Sequence, residues 1–269
     1  VLVNTIKKDY MKTFKWYNFL LILFFSTPLW SQGPPIRTDK PIMLGQSKGT
    51  VRTFYQYFRS DETHYHLVPL MIDYNLKNNI EVGIELPFAA LSDNERNEGF
   101  KTGDLSLKAK YQFIRKDEMG KTFRMAAKAV SMIPTGRDRE APMVGMGTYQ
   151  TSIGLLAGME SLKYGVVGEM GFNHMGSIHP NFWNANLAFG LPLLKPIFPV
   201  RQVTLYFEYE GKWFPEDAGY AVYYAQGIQY AYKSYALELS IQMPLVQVVH
   251  PFFRRDIALM IGGRFVIGQ

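Results

Sequence analysis

Hydrophobic and polar residues alternate with a period of two along most of the chain. From Asp104 it reads D-L-S-L-K-A-K-Y-Q-F, which puts Leu105, Leu107, Ala109, Tyr111 and Phe113 on one face and Asp104, Ser106, Lys108, Lys110 and Gln112 on the other. Side chains on a strand point alternately to its two sides, so this is a strand with one oily and one charged face. The pattern recurs where Ile80, Val82, Ile84, Leu86 and Phe88 oppose Glu81 and Glu85, and where Val203, Leu205, Phe207 and Tyr209 oppose Glu208 and Glu210. Tyr235, Leu237, Leu239 and Ile241 oppose Glu238, and Ile257, Leu259, Ile261, Phe265 and Ile267 oppose Arg264. No amphipathic helix competes with it.

The alternation predicts twelve strands: Thr50–Arg59, His64–Asn75, Asn79–Phe88, Asp104–Arg115, Lys121–Ile133, Thr148–Met159, Tyr164–Asn173, Phe182–Leu194, Gln202–Lys212, Tyr220–Tyr232, Tyr235–Leu245 and Ile257–Ile267. A soluble sandwich also alternates, but its strands are usually about 5–6 residues long, whereas a tilted bilayer crossing needs roughly 9–11. Rings cluster at strand ends, as in Tyr55, Tyr57 and Phe58 or Tyr220, Tyr223, Tyr224, Tyr230 and Tyr232, the position of interfacial girdles. The expected fold is all-β, a transmembrane antiparallel up-and-down β-barrel of about twelve strands. With a periplasmic N-terminus, the even-numbered connections are short turns, near 77, 118, 162, 195–201 and 233. The external connections, including Ala89–Gly103, Pro134–Gly147, His174–Asn181, Trp213–Gly219 and Val246–Asp256, are mostly longer, as in outer-membrane barrels.

Composition refines this picture in two ways. Aromatic residues reach 15% and charged residues only 19%, and cysteine is absent, so disulfides, thiolate metal sites and a cysteine nucleophile are excluded. The formal charge of +6 falls to +3 when residues 1–32 are set aside, which removes most of the compositional case for nucleic-acid binding. That N-terminal stretch contains MKTFKWYNFLLILFFSTPLWSQ, a basic start, a short apolar run and small residues near Ser31. It predicts a signal peptide over residues 1–32, with 1–10 as a possible over-extended start, a periplasmic or plug segment over 33–49, and the barrel over 50–269.

The inward charges predicted to line the lumen are Glu81, Glu85, Asp104, Lys108, Lys110, Arg124, Lys128, Glu169, Glu208, Glu210, Lys212, Glu238 and Arg264. Mixed signs can brace a filled interior or line a narrow pore. Gly103 and Asp104, where a loop re-enters a strand, and Pro134, Thr135 and Gly136, where one stops, read as loop-shaping residues, with a ligand-gating role as the sharper alternative. Enzyme chemistry would need an activated serine, for which His174, His179 and Ser177 share an external loop without a nucleophile motif. His64 and His66 form an H-x-H pair with no third metal ligand nearby. External rings at Phe100, Trp213, Phe214, Phe252 and Phe253 read as interfacial anchors ahead of solute capture. Catalytic residues, bound metals and cofactors are not expected.

Three segments, G-P-P-I-R-T-D (Gly33–Asp39), G-D-L-S-L-K-A-K-Y-Q-F (Gly103–Phe113) and I-P-T-G-R (Ile133–Arg137), resemble in order and spacing the outer-membrane transporter family known as MetA-pathway of phenol degradation. The resemblance implies a barrel that passes small hydrophobic or aromatic compounds across the outer membrane of a Gram-negative bacterium. The expected function is passive uptake of such molecules by a monomer. Its expected partners are outer-membrane lipid and lipopolysaccharide, the barrel-assembly machinery, which reads the aromatic terminal strand at Phe265, and a small-molecule solute. A non-transporting barrel with a charge-filled interior is the alternative, and a lipid-modifying enzyme the third reading.

Overall fold

The computed structural model describes residues 34–60, 63–92, 97–136, 145, 147–176, 180–195, 201–215, 219–249 and 254–268. The signal peptide, Gly33, Arg137, Ser177, His179, Phe252 and Phe253 lie outside the described residues.

Thirteen strands are described: β1 Gly49–Ser60, β2 Thr63–Lys77, β3 Ile80–Ser92, β4 Asn97–Thr102, β5 Leu105–Glu118, β6 Lys121–Ile133, β7 Gln150–Ser161, β8 Gly165–His174, β9 Phe182–Pro192, β10 Arg201–Phe214, β11 Gly219–Tyr232, β12 Tyr235–Val249 and β13 Ile257–Ile267. Twelve of them form a closed antiparallel ring in which each strand pairs with its sequence neighbours and β1 pairs with β13, from Gly49 opposite Ile267 to Arg59 opposite Ile257. Closure leaves no row of unpaired amides, the requirement for backbone inside hydrocarbon.

The thirteenth strand, β4, corrects the expected loop at Ala89–Gly103. β3 continues to Ser92, and β4 pairs with that extension while β5 pairs with the lower half of β3. β4 and β5 are thus one strand broken at Gly103 and Asp104, and the upper part stands above the ring as a hairpin. Two further loop boundaries move. β10 extends to Phe214, and β12, expected to end at Leu245, runs on to Val249. Proline cannot donate to the ladder, and a register shift at Val222/Tyr223, opposite Pro244, absorbs it as a bulge.

The two faces follow the alternation. Leu155, Met170, Leu237 and Ile261 project outward, each more than half exposed, and form part of an apolar outer band of the kind that transmembrane barrels present to lipid. Rings border it on both sides. Tyr74, Tyr111, Tyr164, Tyr230 and Tyr235 lie toward the short turns, and Tyr55, Trp183, Trp213 and Tyr220 toward the other end. Tyr223 departs from the expected girdle: it faces the lumen, buried against Phe214 and Val249, and its hydroxyl donates to Gln247 at 3.0 Å. Phe214 is likewise interior, not an external anchor. An arginine at Leu155, midway along β7, is expected to cost about 2–4 kcal/mol, read as a lower urea midpoint on folding into lipid vesicles.

Candidate functional site

Inward-facing charges from distant strands meet in the middle of the barrel. Glu81 on β3 receives Lys110 at 2.9 Å and Lys108 at 3.4 Å, and Lys108 also meets Asp73 on β2 at 2.6 Å. Across the ring, the Glu238 carboxylate is fully buried between Arg52 at 2.7 Å and Arg264 at 2.9 Å, with Gln229 donating to it at 3.0 Å. Lys128 pairs with Glu169 at 2.5 Å, and Lys212 with Glu210 at 2.9 Å. Arg124 meets Asp117 at 2.5 Å near the short-turn end, and Glu85 lies opposite Ser106. Buried charges demand partners of this kind, because water is not there to solvate them.

Residues 34–44 lie inside this cage, and 45–48 tether them at its rim. The backbone amides of Gln46 and Ser47 donate to Asn78 Oδ1 and to the Asn75 carbonyl, which ties this end of the segment to the rim of β2. Deeper in, the Asp39 carboxylate receives Lys110 at 2.8 Å and faces Lys128 at 3.6 Å. Burial alone would raise its pKa, but the charges of Lys110, Lys108 and Lys128 hold it well below the usual carboxylate range. The backbone amides of Ile36, Arg37 and Thr38 then all donate to the Glu208 carboxylate, at 3.1, 3.0 and 2.7 Å. The Ile36 carbonyl accepts from Arg52, and the Ile36 side chain packs on Tyr206, Met260 and Phe54. Arg37 reaches Ser240 and Gln242, and burial together with nearby Arg255 brings its guanidinium pKa down to about 10. The carbonyls of Pro35 and Pro34 accept from Arg264 and Gln229, which turns the chain back toward the short-turn end. The segment is therefore a loop with its apex at mid-lumen.

Cavities lie on either side of the loop. One of about 150 Å³, lined by Asp39, Lys40, Asp73, Glu81 and Lys233 among others, faces the short-turn end. The other, of about 300 Å³, lies toward the opposite end between β6 and β10, where Lys128, Glu169, Glu210 and Lys212 meet Val130, Met132, Met175 and Phe182. His174 lines this second cavity. His64 and His66 face outward instead, each Nδ1 within 2.6 Å of a tyrosine hydroxyl, of Tyr57 and Tyr55 respectively. No group of three or more metal-ligating residues occurs among the described residues.

The two loop motifs come together. Gly136 donates its backbone amide to Asp104 Oδ1 at 2.8 Å, and Leu105 donates to Thr135 Oγ1 at 2.9 Å. Asp104 is fully buried, and a methyl group on Gly136 would come within 3.0 Å of Asp104, Gly145 and Gly103. Glycine is required there for close approach. The antiparallel β5–β6 pairing, with Leu105 opposite Ile133, brings the motifs into contact across 32 positions of sequence.

Sequence reasoning missed Arg52, Asp73, Arg255 and the inward Asp39. Asp73 alternates with Ile72 and Tyr74, a signal as good as any used for Glu81. Arg52 shares its inward face with Phe54, which blurs the polar pattern.

No protein-family model matches the chain, and no curated protein does. Among solved structures, the crystal structure of an outer membrane channel from Pseudomonas putida F1 is similar over 87% of this chain and 100% of its own length, at 14% identity and a TM-score of 0.65. The KdgM porin is similar over 80% of this chain and 98% of its own, at 12% identity and a TM-score of 0.51. At these identities the likeness is one of fold, the outer-membrane barrel architecture.

Proposed function

We propose that the protein is a passive outer-membrane channel for small, hydrophobic or aromatic molecules, closed by residues 34–41, in a Gram-negative bacterium. The observation that carries this reading is the pair of cavities facing opposite ends of one barrel, with the N-terminal loop and the ion pairs it makes with the wall lying between them. A wall built of strands is hard to move, whereas a loop held by side-chain contacts can leave. The vestibule between β6 and β10 sets Val130, Met132, Met175 and Phe182 beside polar groups, which suits a solute with an apolar face. Similarity in fold to an outer membrane channel and to a porin supports the channel reading, and the Asp104–Gly136 contact supports treating the resembling motifs as one unit.

The test is solute flux into proteoliposomes carrying the full mature chain, compared with a chain lacking residues 34–41, over a panel of aromatic acids, fatty acids and sugars. Flux that rises on deletion is the expected result. A barrel that passes nothing in either form would establish the second reading, a non-transporting barrel, which the dense lumen ion-pair network favours.

A further inference from the structure

At mid-lumen the wall receives each group of Ile36 separately. The backbone amide of Ile36 donates to the Glu208 carboxylate at 3.1 Å, its carbonyl accepts from Arg52, and its side chain fills a pocket formed by Tyr206, Met260 and Phe54. Gly227, opposite Tyr206 on β11, makes the room for it: a methyl group there would come within 2.5 Å of Ile36 Cδ1. Carboxylate, guanidinium and apolar pocket therefore lie within the reach of a single residue, because Ile36 meets all of them at once.

Departure of the loop unbalances this part of the wall in a definite way. Among the described residues, Glu208 makes no ion pair with the wall, and its oxygens are met by the amides of Ile36, Arg37 and Thr38. Arg52 and Arg264 share the one Glu238 carboxylate, and they also donate to the carbonyls of Ile36 and Pro35. The vacated seat thus holds a carboxylate without a cation and, beside it, two guanidinium groups to one carboxylate. The lysines that held Asp39 are left differently, since Lys110 keeps Glu81 and Lys128 keeps Glu169. A ligand that completes the seat carries a positive group for Glu208, a negative group for Arg52 and an apolar body for the pocket.

We propose that the seat of Ile36, once the loop has left, binds free apolar α-amino acids, with the ammonium on Glu208, the carboxylate on Arg52 and the side chain in the Tyr206, Met260 and Phe54 pocket. The inference rests on the channel reading, in which residues 34–41 leave the lumen, and it names the solutes that the open lumen holds: small, apolar in body and zwitterionic. The ammonium takes the place of the loop amides, and the carboxylate takes the place of the loop carbonyls. An acid with the same side chain offers Glu208 only a second negative charge. An amine with that side chain leaves the surplus guanidinium unanswered.

The test uses the chain lacking residues 34–41 and, as a full-length background, Asp39→Asn, each checked for barrel closure by heat-dependent migration on gels. L-Isoleucine is titrated in detergent by saturation-transfer NMR, beside the amine left by removing its carboxylate and the branched acid left by removing its ammonium. Isoleucine is expected to bind about tenfold more tightly than either fragment, one charge-assisted hydrogen bond's worth. Glu208→Gln should weaken isoleucine and the amine by a similar factor and spare the acid. Arg52→Gln should weaken isoleucine and the acid and spare the amine, a crossed pattern that general disturbance of the wall does not produce. Isoleucine no tighter than its fragments, substitutions that act alike on both fragments, or equal binding by the intact chain, whose seat Ile36 fills, overturns the proposal. If the pattern is found but proteoliposomes pass no isoleucine, the site stands and the channel reading fails. If isoleucine passes yet neither substitution alters its binding, the channel stands and this site does not.

Discussion

Deleting residues 34–41 while keeping the tether at Gly45–Lys48 is expected to raise single-channel conductance in planar bilayers severalfold. The loop fills the middle of the lumen, and its contacts there are side chain to backbone and ion to ion, with none of the ladder bonding that holds the wall. Removing it joins the two cavities. Because the ring closes through β1–β13 pairing that starts at Gly49, the wall does not depend on the deleted residues. A synthetic peptide of residues 34–41, added on the side of the short turns, is expected to lower the conductance again. Identical conductance in the full and deleted chains would mean that the loop does not set the permeability.

The same contacts predict how closure responds to pH. Asp39 has its carboxyl held well below the usual range by Lys110, Lys108 and Lys128, against the effect of burial. A carboxyl with a depressed pKa in the docked state favours docking above its undocked pKa, and that contribution fades as pH falls toward the docked value. Conductance is therefore expected to stay low across neutral and mildly acidic pH and to rise only in strong acid. Asp39→Asn should be open at all these values, because it removes the charge that the lysines hold.

Most of the wall was legible because a two-residue period leaves each side chain only two choices. In β5, Lys108 and Lys110 were bound to point inward once Leu107 and Tyr111 pointed out, and the bounds of β6 and β13 match the alternation throughout. The errors occur where another force overrides the period. β12 outruns its expected end at Leu245 because a bulge there lets the ladder resume at Val246, and Tyr223 looks like a girdle residue until the interior cluster with Phe214 claims it. For residues 34–48 the sequence offered only a periplasmic or plug segment, and the contacts of that segment were beyond reach for a different reason. It has no periodicity, and Glu208 binds its backbone amides, which carry no sequence signal. Asp104 and Gly136 were each explained singly as turn residues, although the predicted β5–β6 hairpin already implied that they meet.

Glu238→Ala is expected to be the most destabilising single change in the wall, at about 3–5 kcal/mol, because it strands two guanidinium groups in a site without water. The Glu238 side chain has no exposed surface, and both of its oxygens are in use: Oε2 receives Arg52, and Oε1 receives Arg264 and Gln229. Arg52 and Arg264 also hold the carbonyls of Ile36 and Pro35, so the loss should reach the loop as well as the wall. Urea unfolding of vesicle-folded protein measures the first effect, and conductance the second. Arg59 and Asp256, 3.7 Å apart and both largely solvated at the rim, supply the control. Asp256→Ala should cost about 0–1 kcal/mol, since an exposed pair is screened and its arginine remains hydrated when left alone. If the two substitutions cost the same, the lumen at Glu238 is wet enough to solvate free charge, and the ion pairs there do not need one another.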